Sequence, residues 1–219
     1  MVVSERDHII KVGDIFDDWS SNGRAEAMEA GHTPMAKMAF DRLGLALDQT
    51  YLDIGCGNGY SVRWAASAGP LVQAIGVDAS EEMIARARNL SSDVPGTRFI
   101  QTAFPSPILR DETFDAIFSM EAFYYLPDLH DSLTQVRRLL KPGGHFACVV
   151  NFYEENPVSH SWPQDLGVEM HLLSEPGWKA ALQDAGLHVI EQAILVPEND
   201  EETGGHGLGS LMTLAQRPD

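Results

Sequence analysis

Two acidic residues, Asp53 and Asp78, lie at the ends of short apolar runs and suit the binding of a charged, hydroxyl-bearing ligand. The runs at 51–54 and 72–77 read as neighbouring strands of a parallel sheet, so both carboxylates are expected at one sheet edge. A carboxylate at a strand tip accepts both hydroxyls of a ribose, and a second one stabilises a positively charged amino group. The pair predicts a site for a nucleoside that carries an amino acid. Three glycines at alternate positions between them leave the backbone open to such a ligand: Gly55, Gly57 and Gly59.

The residues that follow Gly59 suit a helix packed against the first strand, which predicts the first half of a βαβ unit. The nearest alternative pattern is the dinucleotide fingerprint G-x-G-x-x-G. Its third glycine would fall on Tyr60, and Asp53 would repel a pyrophosphate. Both features count against a nicotinamide-dependent oxidoreductase.

Four stretches, in this order and spacing, resemble the class I S-adenosylmethionine-dependent methyltransferases. They are D-x-G-x-G-x-G at 53–59, the segment 77–80, a fourth strand at 114–119 and a turn at 140–144 before a fifth strand at 145–150. The resemblance covers roughly residues 50 to 150. It implies a three-layer, doubly wound, Rossmann-like α/β fold with a mostly parallel seven-stranded sheet and an antiparallel last strand. It also implies S-adenosylmethionine as the cofactor.

The resemblance further implies which residues hold the cofactor. Met83 follows Asp78 at the start of a helix, although plain core packing is the alternative for a methionine at this spacing. Many relatives have an aspartate after the third strand (98–101) where this chain has Thr102 and Ala103, so adenine is expected against the Ala103 amide. Arg24 suits the methionine carboxylate, the alternative being a solvated surface charge. The full expected set is Asp53, Gly55, Gly57, Asp78, Ala79, Met83, Thr102, Ala103, Ser119, Met120 and Arg24.

The first 48 residues are expected to form a helical cap over the cofactor. Short helical pieces are predicted around 16–19 and 23–28, with another helix from Thr33-Pro34 to Leu43. In enzymes of the resembled family such a segment folds over the pocket, so Trp19, Arg24, Met28 and His32 are expected to wall it. The alternative is that Trp19 and Met28 only fill the core.

The loop 151–173 is longer than most connections and is expected to close over the acceptor. The alternative is an ordered surface loop with an aromatic anchor. Tentative acceptor-binding residues are His32, Tyr124, Tyr153 and His160. Direct displacement at a methyl group needs alignment rather than a protein nucleophile. If the acceptor must lose a proton, the candidate bases by placement are His32, Glu121, Tyr124, Tyr153 and His160.

The chain of 219 residues fits a single domain. We divide it into the cap (1–48), the cofactor-binding core (50–150), the acceptor loop (151–173) and a C-terminal part (174–219). The last part is predicted to hold a helix from Ser174 to Gly186 and strands at 187–196 and 211–216, with an acidic, glycine-rich and mobile segment at 198–209 between them.

The formal net charge of −17 is expected to repel nucleic acid and anionic membranes, which favours a small-molecule acceptor. The acidity fits adaptation to high salt, or an ordinary acidic cytosolic protein. Two cysteines without metal or disulfide spacing indicate the cytoplasm, and the charged start of the chain predicts no signal peptide. No metal site is expected, and the chain is expected to be a monomer or a homodimer.

We therefore expect methyl transfer from S-adenosylmethionine to a small molecule. A non-catalytic module that binds the cofactor is the first alternative, and a nicotinamide-dependent oxidoreductase is the second.

Overall fold

The computed structural model describes residues 4–21, 24–197 and 209–219, so most of the predicted mobile segment at 198–209 lies outside the described residues. Within these ranges the strands are β1 (Thr50–Ile54), β2 (Gln73–Asp78), β3 (Thr97–Gln101), β4 (Phe114–Met120), β5 (Leu140–Val150), β6 (His188–Leu195) and β7 (Ser210–Gln216). The α-helices are α1 (Glu5–Ser21), α2 (Arg24–Arg42), α3 (Tyr60–Ala68), α4 (Glu81–Leu90), α5 (Leu129–Leu139), α6 (Trp162–Leu166) and α7 (Glu175–Asp184). Short 3₁₀ turns cover Phe123–Tyr125 and Pro157–Ser159.

The strands form one seven-stranded sheet in the order β3-β2-β1-β4-β5-β7-β6. Strand β1 pairs in parallel with β2 and β4, whereas β7 runs antiparallel to both β5 and β6. The predicted mostly parallel sheet with an antiparallel last strand is confirmed. In the sheet, β2 lies on one side of β1 and β4 lies on the other, so the strand order reverses at this point. The carboxyl ends of β1 and β4 therefore border the crevice where open α/β sheets bind ligands.

The sheet separates two hydrophobic cores. Leu52 and Ile54 of β1 pack in one core with α5 and α7, while Tyr51 packs in the other with α2, α3 and α4. This alternation follows from the period of two along a strand. It places helices on both faces of the sheet and gives the three-layer arrangement.

The N-terminal region is more regular than predicted. It forms the two long helices α1 and α2 instead of short pieces, and Thr33-Pro34 lies inside α2 instead of starting a helix. Pro34 lacks the N–H that would bond to the carbonyl one turn earlier. The helix persists because its next residues are buried in the core, and burial of an apolar face outweighs local propensity: Met35, Ala36, Ala39 and Phe40.

Two boundaries also differ from prediction. The turn was expected at 140–144, before a strand at 145–150, but β5 already begins at Leu140, which pairs with Phe114. The register shifts inside the strand before pairing resumes at His145. The segment 151–173 contains a 3₁₀ turn and α6 instead of being a loop throughout. Helix α6 is held by the Trp162 ring, whose centroid lies 6.3 Å from that of Phe152 in a stacked pair.

No helix in the described part of the chain is long and apolar enough to cross a membrane. Among those same residues, no group of three or more His, Cys, Asp or Glu side chains is arranged to hold a metal ion.

Candidate cofactor and acceptor cavity

The glycine turn after β1 has a conformation that ordinary side chains resist. Gly55, Gly57 and Gly59 have φ angles of 74°, 51° and 81°, all in the left-handed region that favours glycine. The amides of Gly55 and Cys56 both donate to the carbonyl of Val77, at 2.9 and 3.0 Å, which ties the turn to the end of β2. A Cβ placed on Gly57 would meet nothing within 4 Å, so this part of the backbone faces open space.

Asp78, at the tip of β2, is fixed by two backbone amides. Its Oδ2 accepts from Gly57 N and its Oδ1 from Ser80 N, both at 2.9 Å. Burial raises the pKa of Asp78, while these two hydrogen bonds oppose the rise. Each carboxylate oxygen keeps a lone pair, so the side chain can still accept two hydroxyl groups.

A cavity of about 410 Å³ lies over this turn, within the range of about 300–1,000 Å³ typical of small-molecule sites. Helix α1 contributes Phe16 and Trp19 to its wall. Helix α1 is tied to the start of α4 by Asp17, which accepts from the Ser80 hydroxyl and from Glu82 N. Helix α2 presents one face at helical spacing, namely Ala25, Met28, Glu29 and His32.

Most residues predicted to bind cofactor or acceptor line this cavity. They are Gly55, Gly57, Asp78, Ala79, Met83, Thr102, Ala103, Met120 and Arg24 from the expected cofactor set, and His32 and Tyr124 from the acceptor set. The guanidinium of Arg24 lies 3.9 Å from the centroid of the Trp19 ring, and both side chains belong to the wall.

Four predicted site residues do not line the cavity. Asp53 is 3% exposed, and its Oδ2 accepts from the Ser61 hydroxyl of α3. Ser119 is buried and donates to the Ile54 carbonyl at 2.7 Å. The Tyr153 hydroxyl donates to the Gly209 carbonyl at 3.2 Å, and the exposed His160 has its Nε2 3.1 Å from the Glu154 carbonyl.

Several wall residues were not predicted from the sequence. Glu29 of α2 and Asn58 of the glycine turn both line the cavity. For Glu29 a signal existed, since it lies between Met28 and His32 on one helical face. Phe16 of α1 also reaches the wall without having been predicted. Tyr125 belongs to the aromatic segment after β4, for which a substrate wall and a cover for the sheet edge were the two alternatives. The predicted acceptor loop at 151–173 contributes Trp162, Asp165 and Leu166.

Glu121 follows β4 directly and has an unusual backbone conformation for a residue with a side chain, with φ at 59°. Its Oε2 accepts from the Tyr124 hydroxyl at 2.7 Å, and its Oε1 accepts from Asn151 N. Burial raises the pKa of Glu121 to about 8, although both hydrogen bonds oppose the rise. A carboxyl group in the cavity wall is therefore able to hold or release a proton near neutral pH.

These shifts predict a pH dependence of stability. Burial raises the pKa of Asp53 to about 7, so between about pH 5 and 7 the folded protein holds protons on Asp53 and Glu121 that the unfolded chain has released. The free energy of unfolding should fall as pH rises through this window, with each of the two groups contributing a slope of up to about 1.4 kcal/mol per pH unit. The contribution of Glu121 should continue to about pH 8.

We expect Glu121→Gln to remove the fall between pH 7 and 8 and to reduce it below pH 7, measured by urea unfolding at pH 5, 6, 7 and 8. Parallel curves for the variant and the wild type would contradict this account of Glu121.

The residues present fit an adenosyl amino acid cofactor. The open backbone at Gly57, the carboxylate at Asp78 and a cavity running along the strand ends supply contacts for a nucleoside and its substituent. Fold and site together define a nucleoside-binding protein of the doubly wound α/β class.

Comparison with known proteins identifies the family. A family model described as a methyltransferase domain matches residues 52–148. The chain is 34% identical to the candidate methyltransferase in a complex with the Haloferax volcanii Trm112 methyltransferase activator, with 93% of this chain and 98% of that chain covered and a TM-score of 0.86. The chain belongs to the class I S-adenosylmethionine-dependent methyltransferases.

Curated relatives agree with this assignment. The chain is 32% identical over 160 residues to cycloartenol-C-24-methyltransferase 1 of Oryza sativa subsp. japonica. The aligned stretch covers 68% of this chain and 46% of the relative. The chain is also 36% identical over 110 residues to the uncharacterized methyltransferase YcgJ of Bacillus subtilis. That aligned stretch covers 49% of this chain and 42% of the relative. The chain thus spans less than half the length of these two relatives.

Proposed function

We propose that this protein transfers a methyl group from S-adenosylmethionine to an apolar small-molecule acceptor. The observation that carries the proposal is one continuous cavity whose wall holds the glycine turn and Asp78 together with aromatic side chains from three separate segments. These aromatic residues are Phe16, Trp19, Tyr124, Tyr125 and Trp162.

In this proposal the nucleoside lies along the tips of β1, β2 and β3. Asp78 accepts the ribose hydroxyls, Gly57 allows close approach of the ligand, and the Ala103 segment contacts adenine. Arg24, held over Trp19, binds the methionine carboxylate. Since Asp53 and Ser119 lie outside the cavity wall, we assign them to positioning α3 and β1 and not to direct contact.

The bound cofactor supplies an electrophilic methyl group. The contribution of the protein is to align an acceptor with that group and to exclude water, which is worth roughly 7–11 kcal/mol in well-oriented reactions. The aromatic rings suit a flat or olefinic acceptor: the centroids of Tyr124 and Tyr125 lie 4.5 Å apart, and Phe16 packs edge-on to Tyr125. Glu121 is placed to take a proton from an acceptor that must lose one, either directly or through the Tyr124 hydroxyl, which would pass its own proton to Glu121 and receive that of the acceptor.

The test has two parts. Calorimetric titration with S-adenosylhomocysteine should show binding, and incubation with methyl-labelled S-adenosylmethionine and a cell extract should label an organic-soluble small molecule. Binding without any labelled product would favour the non-catalytic module, and absence of binding would contradict the proposed function.

We propose that a partner of the Trm112 kind activates this chain. The support is the 34% identity, over nearly the whole length of both chains, to the protein found in a complex with that activator. The labelling experiment should therefore be run with and without an added Trm112-type protein, and we expect more product with it. Equal labelling in both reactions would contradict this partner.

We also infer that the protein works in the cytoplasm of a high-salt cell. The formal charge of −17 and the similarity to a Haloferax volcanii protein support the salt adaptation, and two free, buried cysteines fit a reducing compartment.

A further inference from the structure

A polar cluster beside the cavity joins α2 to the glycine turn. Oε2 of Glu29 accepts from Nδ2 of Asn58 at 2.7 Å, and Oε1 accepts from the Arg63 guanidinium at 3.2 Å. The same guanidinium donates to the Asn58 carbonyl at 2.7 Å. Glu29 and Asn58 line the cavity, whereas Arg63 does not.

Asn58 has an unsatisfied acceptor in this cluster. The residue is 3% exposed, and its buried Oδ1 has no hydrogen-bond partner within the described residues. A buried amide oxygen left without a donor costs about 1–3 kcal/mol, so such an atom on a residue that lines the cavity favours a ligand group that donates to it. The Glu29 carboxylate beside it also offers acceptors only, since each oxygen keeps a free lone pair.

Resting on the proposed function, we propose that Glu29 and Asn58 bind the α-amino group of the methionine moiety of the cofactor. An ammonium group carries three donors and a positive charge, which matches one carboxylate and one amide oxygen. Arg24 lies on the same wall and serves the carboxylate end, so acid and base on α2 match the two charges of an amino acid. The Arg63 guanidinium partly offsets the negative charge of Glu29 in the absence of the ligand.

This assignment takes the role that the sequence pattern gave to Asp53. The Asp53 carboxylate is buried against Ser61 and is outside the cavity wall. Because Glu29 belongs to α2, the amine contact also couples this N-terminal helix to the binding of the amino acid part of the cofactor.

The inference is tested by titrating the full chain and Glu29→Gln with three ligands. These are S-adenosylhomocysteine, its analogue with hydrogen in place of the α-amino group, and 5′-methylthioadenosine, which lacks the amino acid. We expect Glu29→Gln to weaken S-adenosylhomocysteine about 10- to 100-fold, as for loss of a charged hydrogen bond, and to change the other two less than about twofold.

The matched control is Glu26→Gln, which makes the same change one turn earlier in α2. Glu26 is also paired with an arginine, Arg86, but it does not line the cavity. This variant should leave all three affinities unchanged. Asn58→Ala, which removes the unsatisfied oxygen, should repeat the selective loss if Glu29→Gln proves too unstable to study.

Equal weakening of all three ligands by Glu29→Gln, with Asn58→Ala doing the same, would overturn the inference and indicate a structural role. Unchanged binding of S-adenosylhomocysteine to a folded variant would overturn it as well. Failure of the wild type to bind any of the three would instead remove the proposed function itself, which distinguishes the two failures.

Discussion

Asp78→Ala should lose at least about 100-fold in affinity for S-adenosylhomocysteine, measured by calorimetric titration. The carboxylate is expected to accept two ribose hydroxyls, and hydrogen bonds to a charged group contribute about 1.5–3 kcal/mol each. The substitution also removes the acceptor for the amides of Gly57 and Ser80, which loosens the turn that borders the ligand.

The control is Asp48→Ala, which removes the same charge at an exposed position just before β1. It should bind S-adenosylhomocysteine like the wild type. An Asp78→Ala protein with a normal melting temperature and wild-type affinity would remove the ribose role of Asp78. The affinity of Asp78→Asn for S-adenosylhomocysteine should lie between those of the wild type and Asp78→Ala, since an amide oxygen can still accept one hydroxyl.

Gly59→Ala should destabilise the fold by about 2–5 kcal/mol. A Cβ at this position would lie 2.5 Å from Cε1 and 2.7 Å from Cζ of the buried Phe99, and 3.2 Å from Cβ of Ala87. Overpacking costs about 1–3 kcal/mol, and the left-handed backbone adds about 1–2 kcal/mol for a residue with a side chain. The melting temperature should fall by roughly 10 °C in a calorimetric scan.

Gly57→Ala separates backbone strain from steric contact. Its φ is also positive, but the added Cβ would meet nothing within 4 Å, so only the conformational cost of about 1–2 kcal/mol applies. Its methyl group would lie in the cavity wall, so we expect a mild loss of stability and at least about a tenfold loss of S-adenosylhomocysteine affinity. Equal melting temperatures for the two variants would contradict the contact of Gly59 with Phe99.

The local parts of the binding edge were predictable because each depends on a few neighbouring residues. The strand at 51–54, the glycine turn and the carboxylate of Asp78 belong to a short pattern, and the structure has β1, the turn and β2 at those positions. The N-terminal helices were not predictable in length, because Pro34 lies inside α2 and only burial of the helix face stabilises it there.

Side-chain direction explains why some predicted site residues lie outside the cavity. Successive residues of a strand point to opposite faces, so Ile54 borders the cavity while Asp53 turns to α3 and Ser61. The sequence indicated an acidic residue close to the glycine turn, but the side chain's partner lies on a helix. Tyr153, in the predicted acceptor loop, is likewise buried and directed to Gly209 instead of the cavity.

The amino-acid sequence alone determined the class of fold, the order of the first five strands along the chain, the position of the glycine turn and the family. The position of the turn follows from the spacing of residues within one short segment, whereas the fold class and the family follow from the resemblance of four ordered stretches to known methyltransferases. Only the tertiary structure decided that Glu29 stands beside Asn58, and that Glu121 is held between Tyr124 and Asn151. Such contacts join residues from separate segments, and their geometry depends on how whole helices and strands pack.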